Sequence, residues 1–355
     1  MTMKGTEIMM KKILALIFIF ALLLCGCSKK TEQTETTAAL GAGNTVGICL
    51  PDFALHEQGE ALAEQLKKAG YQVLIENAAG DMLRQHSQVQ AFVNMQVGCL
   101  VVAAVDPITL TDVLEEARQA DIPVIALDRM LMYTQAVTGC VAPDTYAIGQ
   151  QLGKYISEEA QLKTATEPVK IELFMGAPEN NNSILFYNGV MEQLQPYFNS
   201  GVLQSLAGRK EFEDVCLRTA TMEQASDRCF DYLTEYYLED LPDVLCAATD
   251  EMAAGCIDAL VSFGLEPGED WPLIVSGQAM AEYVENLLQG YQNVSAYADE
   301  QSIVDTCAQW VCAAMKGETV TGSEVSNGLI QVPAFLQEPV LVTTENCREI
   351  FPEEQ

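Results

Sequence analysis

The sequence predicts an α/β chain built as two doubly wound lobes, each a parallel sheet with helices on both faces. Three observations carry that prediction. Short apolar runs such as "VGICL" and "CLVVAAV" alternate with amphipathic stretches, the rhythm of repeated strand–helix–strand units. The runs are apolar throughout rather than at every second residue, so both their faces are buried, as in parallel sheets. About ten such runs and about eight helical patterns fall in the roughly 310 residues from Asn44 onward, too many for one open sheet around one core.

Ahead of Asn44 the chain reads as an export address. Lys11-Lys12 precede "ILALIFIFALLL", an apolar run of 12 residues. That is short of the roughly 20 residues a membrane span needs but suits a signal-peptide core. It runs into "LCGC", where Leu24 stands three positions before Cys27 and Gly26 just before it. This resembles the bacterial lipoprotein cleavage box. It implies that residues 1–26 are removed and that lipid on Cys27 holds the protein to the outer face of the cytoplasmic membrane. An ordinary signal cut near the same place is the alternative. The polar "SKKTEQTETTAALGAG" that follows, through residue 43, has no apolar periodicity and suits a flexible tether between anchor and folded domain.

In the first lobe the predicted strands are Val46–Leu50, Gln72–Glu76, Cys99–Val105, Val124–Asp128 and Val137–Val141. The helix "EQGEALAEQLKKAG" puts Ala61, Leu62, Gln65 and Leu66 on neighbouring turns and closes on Lys67-Lys68 and Gly70. "ITLTDVLEEARQADIP" offers Thr109 or Thr111 as a cap, then apolar Val113, Leu114 and Ala117, and stops at Ile122-Pro123. In the second lobe the strands are Lys170–Met175, Val202–Leu206, Asp243–Ala248, Leu273–Ser276 and Val294–Tyr297. A helix over 301–316, rich in Ala, Cys and Val, packs on a sheet, and "GLIQVPAF" crosses back between lobes. The expected division is 44–141 plus about 299–325 for the first lobe and 142–298 plus about 326–350 for the second.

Composition narrows the function. A formal charge of −31 excludes nucleic acid or anionic lipid as a partner, because those demand a basic footprint. Of 12 cysteines, Cys25 leaves with the signal and Cys27 is the anchor. The remaining ten are scattered among apolar residues without CxxC or metal-ligand spacing and read as small buried hydrophobes. A Cys216–Cys229 disulfide stays open. With His56 and His86 alone, a histidine metal site is not expected. No GxSxG, Walker loop or Ser-His-Asp set occurs, so neither an enzyme nor a cofactor is expected.

In doubly wound sheets ligands bind beyond the carboxyl ends of the strands. The residues there include Phe53, Asp106, Asp128-Arg129, Asn180 to Asn182, Thr249-Asp250 and Gln278-Ala279. Two charges at the end of a buried strand make Asp128 and Arg129 the favoured ligand contacts. Asp106, before Pro107, serves equally as a cap for the helix near Thr109. Asp250 opens a helix where an acid suits the dipole, so capping and ligand contact stay equally open there. Phe53 is either a stacking aromatic or lobe-interface packing.

At these residues the chain resembles the type I sugar-binding proteins of bacterial ABC importers, in the multiple-monosaccharide-, ribose- and galactose-binding branch. "GCLVVAAVDPITLTDVLEEARQADIPVIALDRML", "IELFMGAPENNNSILFYNGVMEQLQPYFNSG", "VLCAATDEMAAGCIDAL" and "PLIVSGQAM" carry the likeness in order. The resemblance implies the type I fold with its multi-crossover hinge and a monomer that closes on a monosaccharide and delivers it to an ABC permease. It also implies ligand contacts at Phe53, Asp106, Asp128, Arg129, Asn181, Asn182, Thr249, Asp250 and Gln278. There are departures: Ala54-Leu55 fall where relatives carry an Arg-Trp pair, Thr249 where ribose-type relatives carry Asn, and Ala279 where they carry Asp. Ala298 likewise replaces a polar residue. The same fold holding an autoinducer- or nucleoside-like ligand, or a sensor reporting to a membrane kinase or chemoreceptor, is the alternative.

Overall fold

The computed structural model describes residues 42–352 except residue 269. The signal segment, Cys27 and most of the tether lie outside the described residues. Five parallel strands build the first sheet: β1 (Thr45–Leu50), β2 (Gln72–Asn77), β3 (Cys99–Val102), β4 (Val124–Leu127) and β5 (Val137–Pro143). Five more build the second: β6 (Val169–Phe174), β7 (Leu203–Gln204), β8 (Val244–Ala247), β9 (Leu273–Gly277) and β10 (Val294–Tyr297). Then β11 (Ser323–Ser326) and β12 (Gln331–Gln337) extend the first sheet, and β13 (Val340–Val342) the second. The orders are β11-β12-β5-β4-β3-β1-β2 and β13-β10-β9-β8-β6-β7. Each sheet therefore reverses direction about its first strand, opening a crevice at β1/β3 and at β6/β8.

Both faces of each sheet are covered, which explains the unbroken apolar runs. Helices His56–Lys68 and Glu300–Met315 set Leu62, Leu66, Ile303 and Val311 against Ile48, Val101 and Ile125. Helices Met82–Asn94 and Thr111–Gln119 set Phe92, Val113 and Leu114 against Leu100, Val102 and Ala126. In the second lobe, helices Thr145–Glu159 and Asn181–Ser200 cover one face, with Ile148, Leu152, Phe186 and Val190 on Leu173 and Val275. Helices Met222–Glu235 and Asp250–Ser262 cover the other, with Tyr232, Met252 and Cys256 on Phe174 and Leu245. All ten cysteines of this region are free thiols and eight are buried. Burial pushes the Cys99, Cys140 and Cys246 thiols up to about 12, so they pack as hydrophobes rather than react.

The chain passes between sheets three times: after β5, after β10, and between β12 and β13. This corrects the expected boundaries. The first lobe keeps the returning chain through Gln337, beyond the expected 325, because residues 327–330 are the turn of a β11–β12 hairpin and β12 pairs with β5. Gly328 takes φ +86° there, and Asn327 is fully buried. The Asn327 amide donates to the Leu131 and Thr134 carbonyls at 3.1 and 2.7 Å, so the returning hairpin staples the loop that follows Asp128-Arg129.

Candidate functional site

The carboxyl ends of both sheets face one cavity of about 600 Å³. Its first-lobe wall comes from the segments after β1 to β4, with Asp52, Gly80, Asp106, Asp128 and Arg129, and from Glu300 at the start of helix Glu300–Met315. Its second-lobe wall comes from the segments after β6, β8 and β9, with Glu179, Asn182, Thr249 and Gln278 among its residues, and from Thr145 at the start of helix Thr145–Glu159. That volume lies in the range that holds a small organic ligand. Five carboxylates line it, from Asp52, Asp106, Asp128, Glu179 and Glu300, against the two guanidinium groups of Arg129 and Arg218.

The charged pair at the end of β4 is rigidly held. Asp128 has φ +66°, a left-handed conformation that only a few non-glycine residues adopt, and its N–H donates to the Val141 carbonyl at 2.9 Å. Arg129 grips the Asp128 carboxylate through Nε and Nη2, each at 2.9 Å, and both side chains are mostly buried. Across the cavity the Asn182 amide donates to the Asp128 carbonyl at 3.1 Å, a direct bridge between the lobes. Asn182 is aimed by its own helix, since the Asn180 side chain caps that helix by accepting from the Asn182 N–H.

Asp106 lines the cavity while its carboxylate accepts from the Ile108 and Thr109 N–H groups, so it is both a turn cap and part of the wall. Its segment is fixed from behind by buried Gln85, which donates to the Ala103 carbonyl and accepts from the Val105 N–H. Thr249 lines the cavity and caps helix Asp250–Ser262. Gln278 sits at the end of β9 with φ +62°, beside Ala279, and both face the cavity. Strained backbone at two facing strand ends is what a pre-organised site tolerates.

Three predicted contacts do not line the cavity. Phe53 is 70% exposed and packs edge-on to His56. Asn181 opens its helix but lies off the lining. Asp250 is buried behind the wall, where Ser276 Oγ, Ser295 Oγ, Gln292 Nε2 and the Met280 N–H all donate to it. It positions the Gln278–Met280 turn from below. A sequence shows that an acid opens the helix but not that two serines and a glutamine close over it.

Burial raises the Asp250 carboxyl, against the hydrogen bonds from Ser276, Ser295, Met280 and Gln292 that lower it. The native state therefore holds this proton more tightly than the unfolded chain. The group's stabilising contribution is complete below the unfolded carboxylate range and is lost as pH rises through the native value. Urea melts from acid to neutral pH are expected to shift stability progressively in favour of Asp250→Asn relative to the native chain. A pH-independent gap, or one moving the other way, would contradict this.

Phe186, Ser183 and Arg218 also line the cavity and were not picked out from the sequence. Phe186 lies one helical turn beyond Asn182, the i, i+4 spacing that puts both on one face, so it was findable. Its ring packs over Gly277, where an added Cβ would stand 3.0 Å from the ring edge. Arg218 follows the short helix Phe212–Val215 in a segment with no strand pattern, so no periodicity marks it. Glu300 sits at the exposed rim, yet its carboxyl is raised, first by lost hydration and then by the charges of Glu57, Asp128 and Asp299.

Residues 53–319 match the family model described as a periplasmic binding protein domain. The chain is 30% identical over 310 residues to a multiple sugar-binding periplasmic protein of Azospirillum brasilense, covering 86% of this chain and 87% of that one. It is 31% identical over 316 residues to a multiple sugar-binding periplasmic receptor of Rhizobium radiobacter, covering 87% and 89%. A solute-binding protein of an ABC transporter from Clostridium phytofermentans, solved with bound β-D-glucose, superposes with a TM-score of 0.81 at 33% identity, covering 86% of this chain and 96% of that one. Its relatives are binding proteins of two parallel-sheet lobes, and this chain belongs to the periplasmic binding protein family.

Proposed function

We propose that the protein captures a sugar or related polyol between its lobes and delivers it, unaltered, to an ABC permease. In this reading lipid on Cys27 anchors it to the outer face of the membrane. The observation that carries the reading is the cavity itself: carboxylates, amides and a guanidinium fork converge from both lobes, with Phe186 on one wall. Sugar hydroxyls donate and accept at once, and carboxylate, amide and guanidinium groups answer them in pairs. An aromatic face suits the apolar patch of a sugar ring. The glucose found in the Clostridium phytofermentans relative supports the same ligand class. Asp128, Arg129, Asn182, Thr249, Gln278 and Asp106 are the proposed contacts. Phe186, 2% exposed on the cavity wall, supplies apolar surface there in place of the stacking aromatic expected at Phe53.

A thermal-shift screen of hexoses, pentoses and inositols tests this. A ligand at 100 times its Kd adds about 2.7 kcal/mol of stability, a readily measured rise in Tm. At least one monosaccharide or cyclic polyol is expected to give that rise. No rise with any of them at millimolar concentration would overturn the reading.

A further inference from the structure

The segment between β4 and β5, residues 128–136, carries Asp128 and Arg129 and forms neither strand nor helix. Met130, Leu131 and Thr134 within it are nevertheless buried, and buried backbone groups need partners. Three of them find theirs on one residue of the returning chain, 196 residues beyond Leu131 and 193 beyond Thr134. The Asn327 side-chain amide donates to the Leu131 and Thr134 carbonyls, and the Asn327 carbonyl accepts from the Tyr133 N–H at 2.8 Å. On its other side, Asn327 Oδ1 accepts from the Leu329 and Ile330 N–H groups at 3.1 and 3.0 Å, and its own N–H donates to the Ile330 carbonyl at 3.1 Å. Every polar group of this fully buried residue is thus spent on locking the hairpin turn to the loop. The next residue is glycine for space as well as for its φ of +86°, since a Cβ there would run into the Tyr133 ring.

The lock reaches both acids at the ends of β3 and β4. The Met132 N–H, between the two carbonyls that Asn327 holds, donates to the Pro107 carbonyl at 2.9 Å, and Pro107 directly follows Asp106. Asp128 stands three residues before Leu131 at φ +66°, a conformation that persists only where the surroundings over-determine it. We infer that Asn327 is a positioning residue for the ligand site: it lies off the cavity lining and holds the Asp106 and Asp128 carboxylates at the spacing that the ligand's hydroxyls meet. This rests on the sugar-binding reading above. A carboxylate that accepts from one particular hydroxyl has to stay within about 0.5 Å of its place, and hydrogen bonds from behind keep it there.

Hydrogen exchange on the ligand-free protein is the first test. In the native chain the Met132 and Tyr133 amides are expected to exchange as slowly as those of β4, although they lie in a loop. Exchange at open-loop rates would overturn the inference whether or not any variant folds. Asn327→Ala, and Asn327→Ser as the milder change, are expected to speed exchange across 128–136 by about tenfold or more, with β8 of the second lobe affected far less. The second test is calorimetric titration with D-glucose and myo-inositol, at a temperature where all chains are folded. A probe that binds the native chain is expected to bind Asn327→Ala roughly tenfold more weakly. Leu233→Ala, a core truncation off the cavity lining, is the control and is expected to lower Tm with Kd unchanged. If Asn327→Ala behaves like that control, Asn327 serves stability alone, and the inference falls while the sugar-binding reading stands. Silence of the native chain toward both probes and the whole monosaccharide screen would overturn both.

Discussion

Gly189→Ala is expected to lower the unfolding free energy by about 3 kcal/mol, because overpacking against backbone leaves nothing flexible to move. Helices Thr145–Glu159 and Asn181–Ser200 approach so closely that a Cβ on Gly189 would stand 2.2 Å from the Tyr146 carbonyl oxygen. The contact is reciprocal: a Cβ on Gly149 would stand 2.2 Å from the Phe186 carbonyl oxygen. Glycine is required here for space, not for a special backbone conformation. The second helix carries Asn182, Ser183 and Phe186 into the cavity, so forcing it away should weaken ligand binding as well. Urea denaturation measures the first effect and calorimetry the second. Gly268→Ala, whose added Cβ would meet only the Glu266 carbonyl oxygen at 3.9 Å, is the control and is expected to be no worse than neutral. Native-like stability in Gly189→Ala would mean that the helices have room the structure does not give them.

The same helix pair marks what can be read from sequence and what cannot. Periodicity reveals helices such as those over "EQGEALAEQLKKAG" and "ITLTDVLEEARQADIP", and apolar runs reveal the ten strands of the two sheets, because both signals are local, whereas the close approach of 145–159 to 181–200 is not. The rule that ligands sit beyond strand carboxyl ends then brings Asp106, Asp128, Arg129, Thr249 and Gln278 to the cavity. It fails at Phe53, since the segment after β1 turns that ring toward solvent, and at Asp250, since the helix it opens points it beneath the turn. Both depend on the direction of a side chain, which one residue of register decides. The lobe boundary expected near 325 differs for a related reason: whether 331–337 stays on the first sheet depends on its long-range pairing with β5, which no local signal carries. Arg218 has no local signal, because it follows a short helix in a segment without strand periodicity and only the fold brings it to the cavity wall.

Asp128→Asn is expected to weaken binding of whichever monosaccharide gives the largest thermal shift by about 1.5–3 kcal/mol, the worth of a hydrogen bond to a charged group. That corresponds to roughly 10- to 150-fold in Kd. Asparagine is the informative variant because Asp128 sits at φ +66°, which Asn adopts more readily than Ala, and because it keeps the size of the side chain while removing its charge. The backbone bridge from Asn182 to the Asp128 carbonyl is retained, so the lobes keep their contact. Two things change: the carboxylate charge facing the ligand is lost, and Arg129, whose guanidinium is held at 2.9 Å, loses the anion that orients it. Breaking this mostly buried pair is also expected to lower the Tm of the ligand-free protein, so the affinity loss is read by calorimetry at a temperature where both chains are folded. Phe53→Ala, at an exposed ring off the cavity lining, is expected to leave Kd unchanged. If Phe53→Ala proved the more damaging substitution, the ligand would lie nearer the first-lobe rim than the Asp128–Arg129 pair, and the polar contacts proposed across the cleft would have to be redrawn around that rim.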